Sequence, residues 1–399
     1  MQFILSDFRI LRPKYEVPQA EGLNWISLAH SYAKFIEGNI NKSNSKTMDE
    51  IYKQVANICN RFACKPDKIS NRGTSIQDYS HQDWENMQLF DFKKSFAGAG
   101  INERMQLFSA VVDEVFQMFY QDNMLAPKHI VHVSCTGYVS PSPAQKIVGQ
   151  KNWGEKTKVT HAYHMGCYAS LPALRIANGF LSTDIEKYTD LYSKKDPYLD
   201  RVDIVHTELC TLHFNPSIHD PSQFVIQSLF ADGFITYSIF NSEHYLKTSN
   251  EKAFLFLIDH EEIIPKTEDA MSWEVSEFGF FMTLSGKVPN IISENIERFL
   301  NKMCAKIGLI FNEIKDSTLF AIHPGGSKII HYIQEILQLP KESILYSENI
   351  LFQYGNMSSA TLPHIWQNIL QDFPDQNKLV ISLAFGPGLT VSGSIMRVV

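Results

Sequence analysis

Leu229-Phe230-Ala231-Asp232-Gly233 runs into a β-rich stretch, Ile235 to Phe240. Ala384-Phe385-Gly386-Pro387-Gly388 runs into another, Val391 to Val399. Each is an apolar run broken by a glycine turn that opens a strand. They close two comparable stretches of chain, residues 1–243 and 244–399, and so raise the expectation of a duplicated fold. Working outward, His129 to Ser134, Asp203 to Val205, Ala253 to Ile258, Thr318 to Ile322 and Lys378 to Phe385 are strand-like. Between them lie helix-like segments. Glu103 to Gln121 sets Met105, Phe108, Val111, Val112, Val115 and Phe116 at helical spacing. Helices are also expected over 22–37, 46–60, Cys167 to Phe180, 290–307 and Lys328 to Leu337, with a loop at 38–47. Residues 182–201, rich in Lys, Asp, Ser and Tyr, read as an exposed excursion. Strands alternating with helices predict an α/β class.

The chain has 399 residues, 44% of them hydrophobic, enough to bury a large core without disulfides or metals. Its 36 Lys and Arg against 43 Asp and Glu give a net charge of −7, which argues against a nucleic-acid partner. Apolar runs such as Leu379 to Phe385 fall far short of the ~18 residues a membrane span needs. The first residues lack the basic start of a signal peptide, so a cytoplasmic protein is expected. The six cysteines (Cys59, Cys64, Cys135, Cys167, Cys210, Cys304) form no CxxC pair. Reduced thiols are the default, and no metal site is expected. The usual nucleotide, zinc and serine-hydrolase motifs are missing.

Four places offer chemistry. Cys167, in His164-Met165-Gly166-Cys167-Tyr168-Ala169-Ser170, has a glycine before it and a helix after it. A helix N-terminus favours thiolate over thiol; the other reading is a small core cysteine. His323, in His323-Pro324-Gly325-Gly326-Ser327, sits at a strand end, where a structural histidine is the alternative. Asn356, in Tyr354-Gly355-Asn356-Met357-Ser358-Ser359-Ala360, donates hydrogen bonds without carrying charge, which suits an oxyanion; helix capping is the alternative. Gly386-Pro387-Gly388 is a tight turn that can also line a pocket. Cys135 and Thr136 end a strand and read as pocket-lining rather than nucleophilic.

Taken in order, Cys167, His323 and Asn356 resemble the triad of the thiolase-fold condensing enzymes, in the chalcone synthase-like, type III polyketide synthase branch. His323 to Ser327, Tyr354 to Ala360 and Phe385-Gly386-Pro387-Gly388-Leu389-Thr390-Val391 resemble three family motifs in family order. Leu229 to Gly233 resembles the family's LeuPheGlyAspGly, and Lys287 to Ser293 also fits. The resemblance covers roughly residues 100–399. It implies a five-layer αβαβα sandwich of two similar halves, 1–243 carrying the cysteine and 244–399 the histidine and asparagine, assembled as a homodimer. It implies an acyltransferase of secondary-metabolite biosynthesis, needing no organic cofactor or metal. A starter acyl thioester would load Cys167. His323 would keep the thiolate by ion pairing. His323 and Asn356 would hold the malonyl-CoA thioester oxygen as CO₂ leaves, and the enolate would attack the bound acyl group. An alkylpyrone or alkylresorcinol is the expected kind of product.

Some positions depart from the pattern. The phenylalanine at the pocket mouth is matched by Phe214 only with a one-residue deletion before Pro216, and its second phenylalanine falls on Met282. Ser140 stands where a methionine usually reaches the partner subunit, and Ser170 and Leu171, with Pro172 next, stand where glycines usually follow the nucleophile. Arg61, Lys68 and Arg72 are the candidates for gripping coenzyme A phosphates. Two other readings stay open: a ketosynthase joining chains delivered by an acyl carrier protein, and a Cys/His acyltransferase or hydrolase that never decarboxylates. A third, a non-catalytic acyl-binding scaffold, is disfavoured by the complete triad.

Overall fold

The computed structural model of the chain describes residues 2–40, 46–185, 201–372 and 375–399. Thirteen strands are described: β1 (Phe3–Leu11), β2 (Tyr15–Pro18), β3 (Asn71–Thr74), β4 (His129–Ser134), β5 (Lys158–Tyr163), β6 (Val202–Glu208), β7 (Gly233–Asn241), β8 (Phe254–Ile263), β9 (Met271–Ser276), β10 (Gly279–Leu284), β11 (Leu319–Ile322), β12 (Leu379–Gly386) and β13 (Thr390–Val398). Nine form one sheet in the order β11-β12-β13-β8-β1-β7-β6-β4-β5.

The pairing repeats. β1 runs antiparallel to β7, β7 antiparallel to β6, and β6 parallel to β4. β8 runs antiparallel to β13, β13 antiparallel to β12, and β12 parallel to β11. The two sets join where Ile4 and Leu5 of β1 pair with Leu255 and Phe254 of β8. The strands opened by the two quoted glycine turns, β7 and β13, occupy equivalent places.

Alternation along the strands sorts side chains into layers. Val131 and Val133 of β4, Ala321 of β11 and Val380 of β12 share a core with two helices, Ser170–Ile185 and Thr361–Asp372. Those helices contribute Leu171, Leu174, Leu362, Ile365 and Trp366. The alternate residue Ile130 turns outward to Trp25, Phe108 and Phe116. Phe320, Ile322, Ile381 and Leu383 turn outward to Ile296, Phe299, Ile330 and Ile333. The stack is helix, sheet, helix, sheet, helix, the five layers the resemblance implies. Trp366 is fully buried and donates to Ser382 Oγ at 2.9 Å; replacing it by Ala would cost about 3–5 kcal/mol.

Some expectations fail locally. β1, which joins the two sets of strands, was not foreseen. Its alternation is broken by a register shift between Ser6 and Arg9, with Asp7 at φ 55°. The helix expected from Cys167 begins at Ser170, which leaves Cys167 in the preceding turn. Of the loop expected at 38–47, residues 38–40 belong to the helix Gln19–Ile40, and 41–45 lie outside the described residues. Of the excursion at 182–201, the helix continues to Ile185, and 186–200 lie outside the described residues. The hairpin β9–β10, also unforeseen, forms a separate two-stranded sheet that becomes a wall of the site.

Candidate active site

Gly166 holds the turn before Cys167 at φ 82°, and a Cβ there would lie 2.7 Å from Pro387 Cδ, so the close approach requires glycine. Its N–H donates to Cys135 Sγ at 3.0 Å. Tyr168, next to Cys167, packs its ring against Gly386, where a Cβ would come within 2.1 Å of the ring. The Gly386-Pro387 turn is therefore the bed on which the Cys167 turn rests. Cys167 Sγ is buried and stands 3.8 Å from Ser358 Oγ.

His323 follows β11, with its N–H donating to Leu383 O at 2.8 Å. Both ring nitrogens are buried without a hydrogen-bond partner. Asn356 follows the helix Leu345–Tyr354, which ends at Gly355 with φ 74°. Its backbone is locked to the first glycine-turn motif: Asn356 N donates to Leu229 O and Ala231 N to Asn356 O, both at 2.9 Å. Asn356 Oδ1 accepts from Ser358 N at 2.8 Å, and Nδ2 is buried without a partner. Buried polar groups are ordinarily satisfied. Here the orphans gather around one thiol.

Cys167, His323 and Asn356 line one cavity of about 620 Å³. Arg61 and Lys68 lie on it, joined by Lys65 and Lys328 and opposed by Asp67, so the rim is mainly basic. Lys68 pairs with Asp67 at 3.5 Å. Arg72 is not on this rim. It is buried and spends its guanidinium on backbone carbonyls. An inner cavity of about 70 Å³ continues past Cys167, lined by Cys135, Thr136, Phe214, Met282 and Pro387, with Trp273 and Phe280 from the hairpin. Gly386 and Gly388 shape the turn without forming its wall.

Phe214 is not at the mouth. It lies deep, with ring centroids 5.4 Å from Trp25 and 5.3 Å from Phe90. The aromatic ring common to both cavities is Phe230, together with Met271 and Met282. Sequence reading passed over Phe230 because it was absorbed into the turn motif that opens β7. Its place inside the family-like motif was the available signal. Glu208 was missed too. It is fully buried, accepts from Cys135 N at 2.9 Å, Thr136 Oγ1 at 3.1 Å and Ser359 Oγ, and burial pushes its carboxyl up to about 7.

Burial also governs the triad. It pushes the Cys167 thiol up to about 12, against the smaller opposing effect of Ser358, and drives the His323 imidazole down to about 3. The expected helix-terminus stabilisation of a thiolate does not dominate, because Cys167 precedes the helix and is enclosed. Each group taken alone is neutral at pH 7. Among the described residues no set of three His, Cys, Asp or Glu side chains is placed to hold a metal ion, and no helix is long and apolar enough to cross a membrane.

Residues 256–399 match the family model for chalcone and stilbene synthases, C-terminal domain. The type III polyketide synthase C of Arabidopsis thaliana is 26% identical over 374 residues, covering 89% of this chain and 91% of that protein. The C-terminal part of the chain thus carries a chalcone and stilbene synthase domain, and the chain as a whole is similar to type III polyketide synthases. That similarity makes it a condensing, acyl-transferring enzyme. An alpha-pyrone synthesis polyketide synthase-like protein of Mycobacterium tuberculosis is 27% identical over 274 residues, 68% of this chain and 65% of its own length. The fold is shared with the crystal structure of the C-terminal type III polyketide synthase domain of Steely1, a type I/III hybrid from Dictyostelium. That comparison has a TM-score of 0.77 at 23% identity, over 100% of this chain and 99% of that one. It places this chain in the thiolase-like sandwich class of fold.

Proposed function

We propose that this chain extends an acyl group on Cys167 by decarboxylative condensation with malonyl-CoA, His323 and Asn356 supporting both steps. The observation that carries the reading is the convergence of three orphaned buried polar atoms, His323 Nδ1 and Nε2 and Asn356 Nδ2, on the cavity that holds Cys167. In the loading step Cys167 gives its proton to His323 and attacks the starter thioester carbonyl, and the CoA thiol leaves. In the extension step the bond from the malonyl α-carbon to its carboxylate breaks. The electron pair moves onto the thioester oxygen, which Asn356 Nδ2–H and a His323 N–H stabilise as it gains charge. The enolate carbon then bonds the acyl carbon, and the C–S bond to Cys167 breaks. The largely apolar lining of the cavity strengthens each of these interactions.

The basic rim of Arg61, Lys65, Lys68 and Lys328 suits coenzyme A phosphates, which supports acyl-CoA and malonyl-CoA as substrates. An inner cavity reached past the flexible Met282 suits an apolar chain, and hence a fatty starter and an alkylpyrone or alkylresorcinol product. β5 closes one edge of the sheet with no further strand beside it among the described residues, which supports a homodimer formed along that edge. Radiolabelled malonyl-CoA with a series of acyl-CoAs tests the reading. Extended products should form with wild type, and Cys167→Ala should form none. Free acid from the starter, with no loss of CO₂ from malonyl-CoA, would instead mark a hydrolase.

A further inference from the structure

Arg72, on β3, is 5% exposed, so a full positive charge is held inside the protein. Burying a charge is costly unless it is well bonded. Its Nη1 donates to Gln227 O at 2.8 Å and Phe230 O at 2.9 Å, and its Nε donates to Gln19 Oε1 at 2.7 Å. Gln227 lies in the last turn of the helix Pro221–Leu229 and Phe230 follows it. A cation belongs at a helix C-terminus, where carbonyls point outward unpaired. Gln19 extends the network, its Nε2 donating to Ser228 O at 2.8 Å and to Cys64 O at 2.7 Å.

The strip that Arg72 grips is the strip that holds Asn356. Leu229 O and Ala231 N, on either side of Phe230, are the two backbone partners of Asn356. Gly355 brings the second strand of this bridge against the same guanidinium stem: a Cβ there would lie 3.0 Å from Leu229 O and 3.1 Å from Arg72 Cγ. One side chain therefore stands behind both the Phe230 ring and the Asn356 amide, and touches neither cavity.

We infer that Arg72 is a positioning residue: by fixing the Gln227 and Phe230 carbonyls it holds the Leu229–Ala231 strip, and through that strip aims Asn356 Nδ2 into the cavity. The inference rests on the proposed role of Asn356 in decarboxylation. Lysine cannot replace Arg72, because a single ammonium cannot span both carbonyls and the Gln19 amide in the guanidinium's fork geometry. A displacement of about 1 Å in a reacting group costs on the order of 10²-fold in rate.

The test uses the full chain with Arg72→Lys and, as a perturbation that leaves both carbonyl bonds of Arg72 in place, Gln19→Leu, which removes the Nε acceptor together with the Gln19 amide's own bonds to Ser228 O and Cys64 O. Malonyl-CoA decarboxylation is measured for kcat and KM, Cys167 alkylation by iodoacetamide for thiol access, and thermal melting for folding. Arg72→Lys should lower kcat by about 10²-fold, with KM and the alkylation rate changed less than about threefold. Gln19→Leu should show the same split at roughly a tenth of that effect. A raised KM with kcat retained would overturn the inference in favour of coenzyme A binding. Decarboxylation and alkylation falling in parallel with the folded fraction would overturn it in favour of a purely structural role. If Arg72→Lys does not fold, Gln19→Leu alone decides, and an unchanged kcat there overturns the proposal. Hydrogen exchange at the Ala231 and Asn356 amides separates this inference from the functional reading. Faster exchange in the variants supports the positioning role even if wild type decarboxylates nothing, and unchanged exchange refutes it.

Discussion

The sharpest consequence of the site concerns how its thiol becomes reactive. Burial holds the Cys167 thiol up to about 12 and the His323 imidazole down to about 3, so neither ionises alone near neutrality. They can ionise together, because moving a proton from Cys167 to His323 leaves the cavity electrically neutral overall. That transfer exchanges no proton with solvent, so its equilibrium is independent of pH. A lone thiol with a pKa near 12 would instead gain thiolate tenfold per pH unit and hold only ~10⁻⁵ of it at pH 7. Two unit charges about 4 Å apart attract by about 4 kcal/mol at an effective dielectric near 20, roughly 10³ in the equilibrium. Set against values of about 12 and 3, that attraction leaves roughly 10⁻⁶ of the sites as the ion pair, below the ~10⁻⁵ of lone thiolate at pH 7 and above the ~10⁻⁷ at pH 5. His323→Ala should therefore leave iodoacetamide alkylation of Cys167 nearly unchanged at pH 7 and slow it about tenfold at pH 5. The wild-type rate should be flat below about pH 6 and climb tenfold per unit above it, and the variant rate should climb tenfold per unit throughout. The assay is peptide mass spectrometry of the fragment containing Cys167 over timed exposure. A wild-type profile that keeps falling tenfold per unit below pH 6, or a flat profile in His323→Ala, would refute proton sharing.

Asn356→Ala should leave alkylation of Cys167 within about threefold and slow malonyl-CoA decarboxylation by ~10²-fold, the effect of one lost oxyanion donor; equal losses in both assays would contradict the division of roles. Met282→Phe should shift starter preference toward shorter chains by about fourfold in kcat/KM per excluded methylene, at about 0.8 kcal/mol each, and Phe230→Leu should shift it the other way; an acyl-CoA chain-length series measures both. Burial raises the Glu208 carboxyl from its ordinary value of 4.5 to about 7, so its protonated form is the one the fold favours. That contribution is complete below pH 4.5 and is lost as pH rises through 7, amounting to about 3 kcal/mol. Urea melts of wild type and Glu208→Gln at pH 4.5 and 8 should therefore show wild type losing about that much more than the variant on going to pH 8.

Chemistry was more legible in this sequence than geometry. Cys167, His323 and Asn356 each sit in a short motif whose glycines force a local turn, so their placement at element ends follows from nearby residues. What the motifs touch does not. Arg61 and Lys68 reach the cavity rim while Arg72 turns inward, and nothing local distinguishes the three; the difference lies in Gln227 and Phe230, more than a hundred residues away. Phe214 and Phe230 are both apolar residues beside a turn, and only tertiary packing sends one to the aromatic cluster and the other to the wall shared by the two cavities. β1 escaped notice for a local reason, since the register shift at Ser6 and Arg9 interrupts the alternation that marks a strand.

The two motifs that first suggested duplication also explain why the site needs both halves of the chain. Leu229 to Ala231, from the first half, clasps Asn356 in the second. Gly386 and Pro387, from the second, support Gly166 and Tyr168 on either side of Cys167 in the first. Each half's closing turn thus braces a catalytic candidate belonging to the other. The brace at Gly386 can be tested by steric means. A methyl group there would sit 2.1 Å from the Tyr168 ring, inside any permissible contact. Overpacking of this kind costs about 1–3 kcal/mol. It would be relieved by moving the Tyr168 ring, and with it the Cys167 backbone. Gly386→Ala should therefore slow Cys167 alkylation and acyl loading by about tenfold or more, while the Asn356 amide keeps its hydrogen-exchange protection. Tyr168→Ala removes the obstructing ring, so the double variant should recover most of the loading rate, giving a large favourable coupling between two residues in contact. Additive losses in the double variant would show that Gly386 serves its own strand and not the nucleophile's turn.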